Sequence, residues 1–325
     1  GLRSIPAILQ IIDWMEEYSP NAWMINYSNT IAIVAEACRR LRPNAKVINI
    51  CDMPIDDMDR MAAICGLDSW HDIDFNYYGL NHFGWWKEVR NKKTGEDLMP
   101  KLKEYVKEHG YWVGGDYDKD TEASWEATFK KVADEYKLEP ETLPNNYMQY
   151  YYFPQYEVAN ADPKHTRTDE IREHRQKIVF GECERIVKVG TAKNNIWDIS
   201  GLHSEYIVDI CHAIAFNTHE KFLANCANNG AISNMDPDSI VEVPALFGAD
   251  GIQPMATGKA GRFQRGLMME QQTCEKLVVD AYVEHSYNKM LQAFALNKTV
   301  PDASVAKKIL DDMIPVNAPY WPELK

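Results

Sequence analysis

Residues 47–54 read Val47-Ile48-Asn49-Ile50-Cys51-Asp52-Met53-Pro54. The apolar beginning of this stretch predicts a buried strand, and Pro54 ends it because proline has no backbone N–H for a sheet hydrogen bond. We expect the strand to present the Cys51 thiol and the Asp52 carboxyl at its tip. Ligands of open α/β sheets bind beside the carboxyl ends of the strands. The stretch therefore predicts a functional site at Cys51 and Asp52.

A second strand-like run covers residues 75–82 and ends in the imidazole of His82. Cys51 and His82 can share a metal if the two strand tips are neighbours. Structural zinc sites need four protein ligands, so a metal held by two would keep open positions, as catalytic metals do. The alternatives are a Cys51 that only fills the core, a structural His82, and an Asp52 that caps a helix.

The first ninety residues alternate between helix and strand patterns. We predict helices over 5–18, 31–41 and 56–65, and strands over 22–27, 47–51 and 75–82. This alternation is typical of a parallel sheet with right-handed crossovers. The predicted fold class is α/β, as the second half of a doubly wound sheet like that of lactate and malate dehydrogenases.

Helical patterns dominate the rest of the chain. We predict long helices over 169–189, 204–229 and 263–296, a polar loop over 190–201, and a short strand over 240–243. We expect residues 1–90 to form the C-terminal part of a Rossmann-like domain. Residues 91–325 are then a mostly helical α+β domain for substrate binding and oligomerisation.

No G-x-G-x-x-G follows a predicted strand, and no Walker A motif occurs. A doubly wound sheet that begins with a helix lacks the half that normally binds the dinucleotide. We therefore expect that the N-terminal dinucleotide-binding half is missing from this chain.

Composition restricts the function classes. The 325 residues are 45% hydrophobic with a formal net charge of −13, which indicates a globular chain and argues against nucleic acid or an anionic membrane as partner. No apolar window is long enough for a transmembrane helix, and no secretory signal opens the sequence. The seven scattered cysteines indicate reduced thiols in a cytoplasmic protein.

Two further stretches carry candidate chemistry. Tyr147 opens an aromatic run that ends at residue 153; such runs usually pack, but a tyrosine beside a metal can act as a base, because positive charge lowers its pKa of about 10. Arg167 precedes an acidic helix start. Its planar fork can grip a phosphate, or the residue can belong to a solvated charge cluster.

Several motifs together resemble one known family, the NAD- and metal-dependent glycoside hydrolases of family four, and most closely its 6-phospho-α-glucosidase branch. The similarity extends to residues 320–324. The matching motifs are Asn26-Tyr27-Ser28-Asn29, residues 49–54, residues 78–86, Leu143-Pro144-Asn145 and His165-Thr166-Arg167.

The resemblance implies hydrolysis of 6-phospho-α-glucosides, such as maltose 6'-phosphate, outside the usual two-carboxylate scheme. NAD⁺ takes a hydride from C3, a base removes the C2 proton, the leaving group departs by elimination, and water addition and reduction follow. The implied cofactors are NAD and Mn²⁺, or another divalent metal. The implied residues are Cys51 and His82 as metal ligands, Asp52 as proton donor, Tyr147 as proton acceptor, and Asn29 and Arg167 as substrate-binding residues.

The resemblance assigns no residue of this chain to NAD, so we expect little or no activity from these residues alone. The expected partner is a phosphorylated disaccharide, and the expected assembly is a homodimer or homotetramer. Two other functions stay open. One is an NAD-dependent dehydrogenase of the lactate/malate type, which would accumulate NADH, and the other is a degenerate sugar-phosphate-binding protein.

Overall fold

The computed structural model describes residues 1–119, 121–173, 175–190 and 197–325. Within these residues one mixed sheet is covered by helices. The strands are β1 (Met24–Asn26), β2 (Val47–Asn49), β3 (Ile73–Leu80), β4 (Phe83–Asn91), β5 (Leu143–Pro144), β6 (Glu220–Ala227), β7 (Ile240–Gly248) and β8 (Gly251–Pro254). The helices are α1 (Ser4–Tyr18), α2 (Ile31–Leu41), α3 (Met53–Cys65), α4 (Met99–His109), α5 (Ala123–Leu138), α6 (Gln149–Tyr152), α7 (Pro154–Asn160), α8 (Arg167–Glu173), α9 (Arg175–Val189), α10 (Trp197–Phe216), α11 (Arg262–Glu284), α12 (Tyr287–Leu296) and α13 (Ala303–Asn317).

The strand order is β1-β2-β6-β7-β3-β4-β5, and β8 pairs with β7. The α/β class is confirmed, but the prediction of a parallel sheet is wrong beyond β1 and β2. These two strands are parallel, whereas the other described pairs are antiparallel. The reason is that β3 turns directly into β4 through a two-residue hairpin, which requires antiparallel pairing. The inserted β6 and β7 then separate β3 from β2.

The quoted stretch folds largely as expected. β2 ends at Asn49, and α3 begins at Met53 rather than at residue 56, with Pro54 in its first turn. Proline is tolerated there because the first helical N–H groups have no intrahelical partner. Gly66, with φ 77°, ends α3 in the left-handed conformation that closes many helices.

Two predicted long helices are wrong. The helix over 204–229 ends at Phe216, and β6 follows, because Asn217 and His219 adopt positive φ values of 54° and 56°. The helix over 263–296 is divided into α11 and α12 by His285, with φ 55°. An apolar run fits helix and strand alike, and tertiary pairing decides between them.

Three smaller predictions also change. The helix over 169–189 is found as α8 and α9, and the strand over 240–243 extends to Gly248. Residues 191–196 of the predicted loop lie outside the described residues, and α10 already begins at Trp197.

The sheet buries both faces. Tyr77 and Trp86 belong to the largest apolar cluster, which α3, α4, α5 and α10 cover. Their neighbours Tyr78 and Trp85 belong to a second cluster with α11, because successive strand residues point to opposite faces. Strands from both sides of residue 90 share this sheet. The division of the chain near residue 90 stays a prediction.

None of the described helices is both long and apolar enough to span a bilayer. All seven cysteines lie in described residues and carry free thiols.

Candidate active site

Asn29 and the Cys51–Asp52 pair lie at one edge of the sheet. They follow β1 and β2, which run parallel with Asn26 opposite Asn49, so both connections leave the sheet on the same side. Ile31, just after Asn29, packs against Cys51. This part of the predicted arrangement at the carboxyl ends of the strands is confirmed.

His82 reaches the site from the turn of the β3–β4 hairpin. It follows Asn81 in the two-residue connection between Leu80 and Phe83, and its φ is 59°. The expectation that β2 and β3 present Cys51 and His82 from neighbouring strand tips is wrong, because two strands lie between them. Asn81 of the hairpin instead influences the thiol, because burial raises the pKa of Cys51 and the Asn81 side chain partly opposes that rise.

Tyr147 joins the two candidate metal ligands. It lies in a 3₁₀ turn, Asn146–Met148, directly after β5, and β5 is held against β4 with Pro144 opposite Trp85. The Tyr147 ring centroid is 4.4 Å from that of His82, and the same residue packs against the Cys51 cluster. The structure thus brings a thiol, an imidazole and a phenol together.

A cavity of about 310 Å³ opens at this point. Two of its lining residues, His82 and Tyr147, were expected from the sequence. The others are Tyr150, Tyr151, Asn297 and Thr299. The aromatic run signalled the two tyrosines, whereas no sequence signal linked Asn297 and Thr299 to a site so distant along the chain.

Burial keeps these three groups uncharged when no cation is present. It raises the pKa of Cys51 to about 12, with a further contribution from the Glu242 carboxylate. It lowers the pKa of His82 to about 4. Burial, and then the Cys51 charge, also raise the pKa of Tyr147. Near neutral pH the site therefore holds a thiol, a neutral imidazole and a phenol.

This donor set fits a divalent cation with open coordination positions. A neutral imidazole is the ligand form of histidine, and a buried thiol becomes a ligand by releasing its proton to an arriving metal. Within the described residues no group of three or more His, Cys, Asp or Glu side chains is placed to hold a metal. Water or substrate would complete the coordination around Cys51 and His82, as in catalytic sites.

Asp52 occupies the N-cap position of α3 but its side chain accepts no capping hydrogen bond. Its backbone carbonyl accepts the N–H groups of Ile55 and Asp56 at 2.8 and 3.1 Å. The expectation of a side-chain cap therefore does not describe Asp52, and its half-buried carboxyl lies next to Cys51.

Arg167 lies at the outer side of the site. Its guanidinium donates to Glu122 at 2.8 Å and to Glu170 at 2.5 Å. It also lies 5.5 Å from the ring centroid of Trp125, which is 6.2 Å from that of Tyr147. Arg167 is thus linked to the cavity through the Trp125 ring, while its guanidinium group donates hydrogen bonds to two carboxylates.

Glu242 is a buried residue that sequence reasoning missed. Its carboxylate accepts hydrogen bonds from Asn225 at 2.8 Å and Tyr77 at 3.1 Å, and Asn81 Nδ2 lies 3.5 Å away. Burial raises the pKa of Glu242 to about 7. The available signal was a glutamate inside the apolar run of β7, since buried charges are retained mainly where they have partners or a role.

Comparison with known proteins agrees with this geometry. The model "Family 4 glycosyl hydrolase" matches residues 1–67, and "Family 4 glycosyl hydrolase C-terminal domain" matches residues 77–300. The chain is 59% identical over its whole length to 6-phospho-alpha-glucosidase 1 of Lacticaseibacillus paracasei and covers 73% of that protein. It is 54% identical to maltose-6'-phosphate glucosidase of Fusobacterium mortiferum, again covering 73%.

Solved structures give the same result. A 6-phospho-alpha-glucosidase from gut microorganisms, in complex with NAD and Mn²⁺, superimposes on the whole chain with a TM-score of 0.92 at 41% identity, and the match covers 73% of that structure. The complex with NAD and glucose-6-phosphate gives a TM-score of 0.93 at the same identity and coverage. From its motifs, its fold and these matches, the chain belongs to glycosyl hydrolase family 4.

Proposed function

We propose that this chain carries the catalytic residues of a glycosidase that hydrolyses 6-phospho-α-glucosides, such as maltose 6'-phosphate, with NAD and a divalent metal, Mn²⁺. The observation that carries the proposal is that Tyr147 packs against both the Cys51 cluster and His82, and that His82 and Tyr147 line one cavity. The relatives with 59% and 54% identity bear the corresponding names, and the solved relatives contain NAD, Mn²⁺ and glucose-6-phosphate.

The Cys51 thiolate and the His82 imidazole would hold the cation, and their side chains leave room for sugar oxygens. When bound, Mn²⁺ supplies a Lewis acid and NAD⁺ supplies a hydride acceptor. A thiolate is a soft ligand, so these two residues do not by themselves select Mn²⁺. The sequence contains no Gly-rich turn for dinucleotide phosphates, and we assign no residue of this chain to NAD.

Two side chains are proposed to move protons. Asp52 gives its proton to the leaving glycosidic oxygen, which requires that it be protonated when the substrate binds. Tyr147 accepts the proton from C2 of the sugar. Burial raises the pKa of Tyr147, and a nearby positive charge would oppose that effect. Asn29 and Arg167 are proposed to bind the substrate, Arg167 through the 6-phosphate.

Calorimetric titration with Mn²⁺, with and without glucose 6-phosphate, tests the metal site without needing turnover. We expect Cys51→Ser to weaken Mn²⁺ binding about 100-fold or more, since even outer-shell partners are worth about 10–100-fold. Cys274→Ser, a change at a buried thiol in α11, is the matched control and should change the affinity less than about threefold. Equal Mn²⁺ affinity in Cys51→Ser and the parent chain would refute the ligand assignment.

Hydrolysis of p-nitrophenyl α-glucoside 6-phosphate with Mn²⁺ and NAD⁺ tests the activity. Because no dinucleotide turn is found in the sequence, we propose that these residues alone turn over little substrate. Robust turnover would contradict that part of the proposal. Net accumulation of NADH would instead indicate a dehydrogenase, and binding of glucose 6-phosphate without any turnover or metal effect would indicate a sugar-phosphate-binding protein.

We also propose a homodimer or homotetramer in the cytoplasm. All seven cysteines are free, as is usual in a reducing compartment. Light scattering behind a sizing column measures the assembly, and a monomer at micromolar concentration would contradict it.

A further inference from the structure

The turn that carries Tyr147 is enclosed by buried polar groups. Asn145 and Asn146 are fully buried. The Asn145 backbone N–H donates to Gly84 O at 2.9 Å, and its side-chain oxygen accepts the Tyr147 N–H at 3.0 Å. In addition, the Tyr111 hydroxyl donates a hydrogen bond to Pro144 O at 2.7 Å. The backbone on the N-terminal side of Tyr147 is therefore held by β4 and by Tyr111.

Two buried carboxyl groups face the same turn from two helices. Asp57 of α3 and Glu135 of α5 have no exposed surface. Asp57 Oδ2 accepts Asn145 Nδ2 at 3.3 Å. Burial raises the pKa of Asp57 well above its usual value, and the backbone N–H of Asn146 partly opposes that rise. Glu135 shows the same pattern, with the backbone N–H of Gln149 in the opposing role. Asp57 thus reaches the turn through Asn145, whose side-chain oxygen accepts the Tyr147 N–H, whereas Glu135 lies buried in α5.

Stability does not explain this pair. Within the part of the chain that the structure describes, Asp57 Oδ1 and both oxygens of Glu135 have no hydrogen bond of ordinary geometry. The charge on Asp57 also raises the pKa of Glu135. Buried polar atoms without partners cost free energy, and apolar groups of the same shape are often neutral or stabilising in such places. Asp57 Oδ2 nevertheless keeps its hydrogen bond to Asn145, so a role in holding the turn fits Asp57, whereas Glu135 makes no such bond.

We propose that Asp57 is a positioning residue for Tyr147, which holds the turn from α3 through the Asn145 side chain and so fixes the phenol ring beside His82. The consequence for catalysis rests on the proposed function, in which Tyr147 accepts the proton from C2. The positioning itself does not depend on that function. A displacement of about 1 Å at a reacting group can cost roughly 100-fold in rate.

The test places 3-fluorotyrosine at position 147 of the full chain and records its ¹⁹F spectrum without metal. The Asp57 carboxyl group is replaced in two ways, by an amide that still accepts a hydrogen bond (Asp57→Asn) and by an apolar residue of similar size that does not (Asp57→Leu). Glu275→Gln is the control, because Glu275 is also a buried glutamate whose pKa burial raises to about 7, but it lies in α11.

We expect one sharp resonance from the parent chain, Asp57→Asn and the control. Asp57→Leu should show a second resonance or at least a doubling of the line width, while circular dichroism and the melting temperature show a folded chain. A parent-like resonance in Asp57→Leu would overturn the proposal. Equal broadening in Asp57→Asn and Asp57→Leu would overturn it as well, because the hydrogen-bond acceptor would then not matter.

Turnover supplies a second readout when the parent chain hydrolyses the p-nitrophenyl substrate. Asp57→Leu should lower kcat about tenfold or more, raise the C2-deuterium isotope effect, and leave KM within about twofold, because proton transfer would be slowed and binding would not. A loss of folded protein alone would leave both the isotope effect and KM unchanged, and that result would count against positioning. Because these residues alone are proposed to turn over little substrate, the Mn²⁺ titration of Cys51→Ser decides whether the proposed function fails, and the ¹⁹F spectra decide the positioning in either case.

Discussion

Burial sets the protonation of the individual residues at the cavity, and this couples cation binding to proton release. The pKa of Cys51 is raised to about 12 and that of His82 is lowered to about 4. His82 is therefore ready to bind a cation at neutral pH, whereas Cys51 must first lose its proton. Binding of one Mn²⁺ should release about one proton, and the affinity should rise with pH.

Asn81 gives a prediction at this scale. Its side chain lies 3.5 Å from Glu242 Oε1 and partly opposes the rise that burial causes in the pKa of Cys51. We expect Asn81→Ala to weaken Mn²⁺ binding about 10–100-fold, the usual effect of losing a group that orients a metal ligand. Calorimetry with Mn²⁺ measures it, with Asn234→Ala as the control, since Asn234 pairs with the Ala260 backbone away from the site. An unchanged affinity would exclude this role for Asn81.

Glu275 gives a prediction about pH. Burial raises its pKa from 4.5 to about 7 in the folded chain. Between these values the folded state keeps a proton that the unfolded state has lost, so Glu275 makes stability fall as pH rises from about 4.5 to about 7. Glu275→Gln should remove this pH dependence. Relative to the parent chain, its free energy of unfolding should therefore rise by up to about 3 kcal/mol over that range.

Denaturant unfolding at pH 5 and pH 8 measures the effect. Glu284→Gln, at the exposed end of the same helix, controls for the loss of a carboxyl group. A difference between Glu275→Gln and the parent that is the same at both pH values would contradict the prediction.

The β3–β4 hairpin is the element that delivers His82, and it depends on a pair of glycines. Gly79 and Gly84 lie opposite each other. A Cβ at Gly79 would overlap the backbone of Phe83 and Gly84, and a Cβ at Gly84 would overlap the Tyr77 ring and hydroxyl. We expect Gly79→Ala to cost about 1–3 kcal/mol or more, as overpacking against backbone does, and thermal unfolding measures this loss.

Gly266 is the matched control, because the same substitution there should have the opposite sign. It lies in α11, and a Cβ would meet nothing within 4 Å. Gly266→Ala should stabilise the chain by about 0.5–1 kcal/mol, since alanine favours helix and loses less entropy on folding. If Gly266→Ala destabilised the chain, or if Gly79→Ala did not, the packing described around that glycine would be contradicted.

At the scale of the whole molecule, the site connects segments that are far apart in sequence. Pocket residues come from the β3–β4 hairpin, the turn after β5 and the connection between α12 and α13. A cation that binds only the folded site should stabilise the whole chain against unfolding. At 100 times its Kd, Mn²⁺ should add about 2.7 kcal/mol to the free energy of unfolding.

Thermal melts with Mn²⁺, and again after EDTA, measure this stabilisation. We expect EDTA to reverse it and Cys51→Ser to abolish it, while Cys274→Ser keeps it. A Mn²⁺-induced rise in melting temperature of the same size in Cys51→Ser would indicate that the cation binds elsewhere.

The local signals in the sequence predicted part of this structure well. Pro54 placed the end of β2 and the start of α3 within a few residues, and the parallel β1–β2 pair brought Asn29 and Cys51 to one edge. The long-range partners were not predictable in the same way. The apolar residues of β6 also fit a helical face, so the sequence predicts helix there, and the partners of Glu242 are set only by the pairing of β7 with β3.

The sequence by itself determined the α/β class, the family, and the residue types available for catalysis, because turn chemistry, apolar periodicity and motif order are local properties of the chain. Only the tertiary structure decided that β6 and β7 separate β2 from β3, that a hairpin turn rather than a strand tip carries His82, and that Asp57 binds the Asn145 side chain beside Tyr147. These outcomes depend on which distant surfaces bury each other, and burial is a property of the folded chain and not of any one segment.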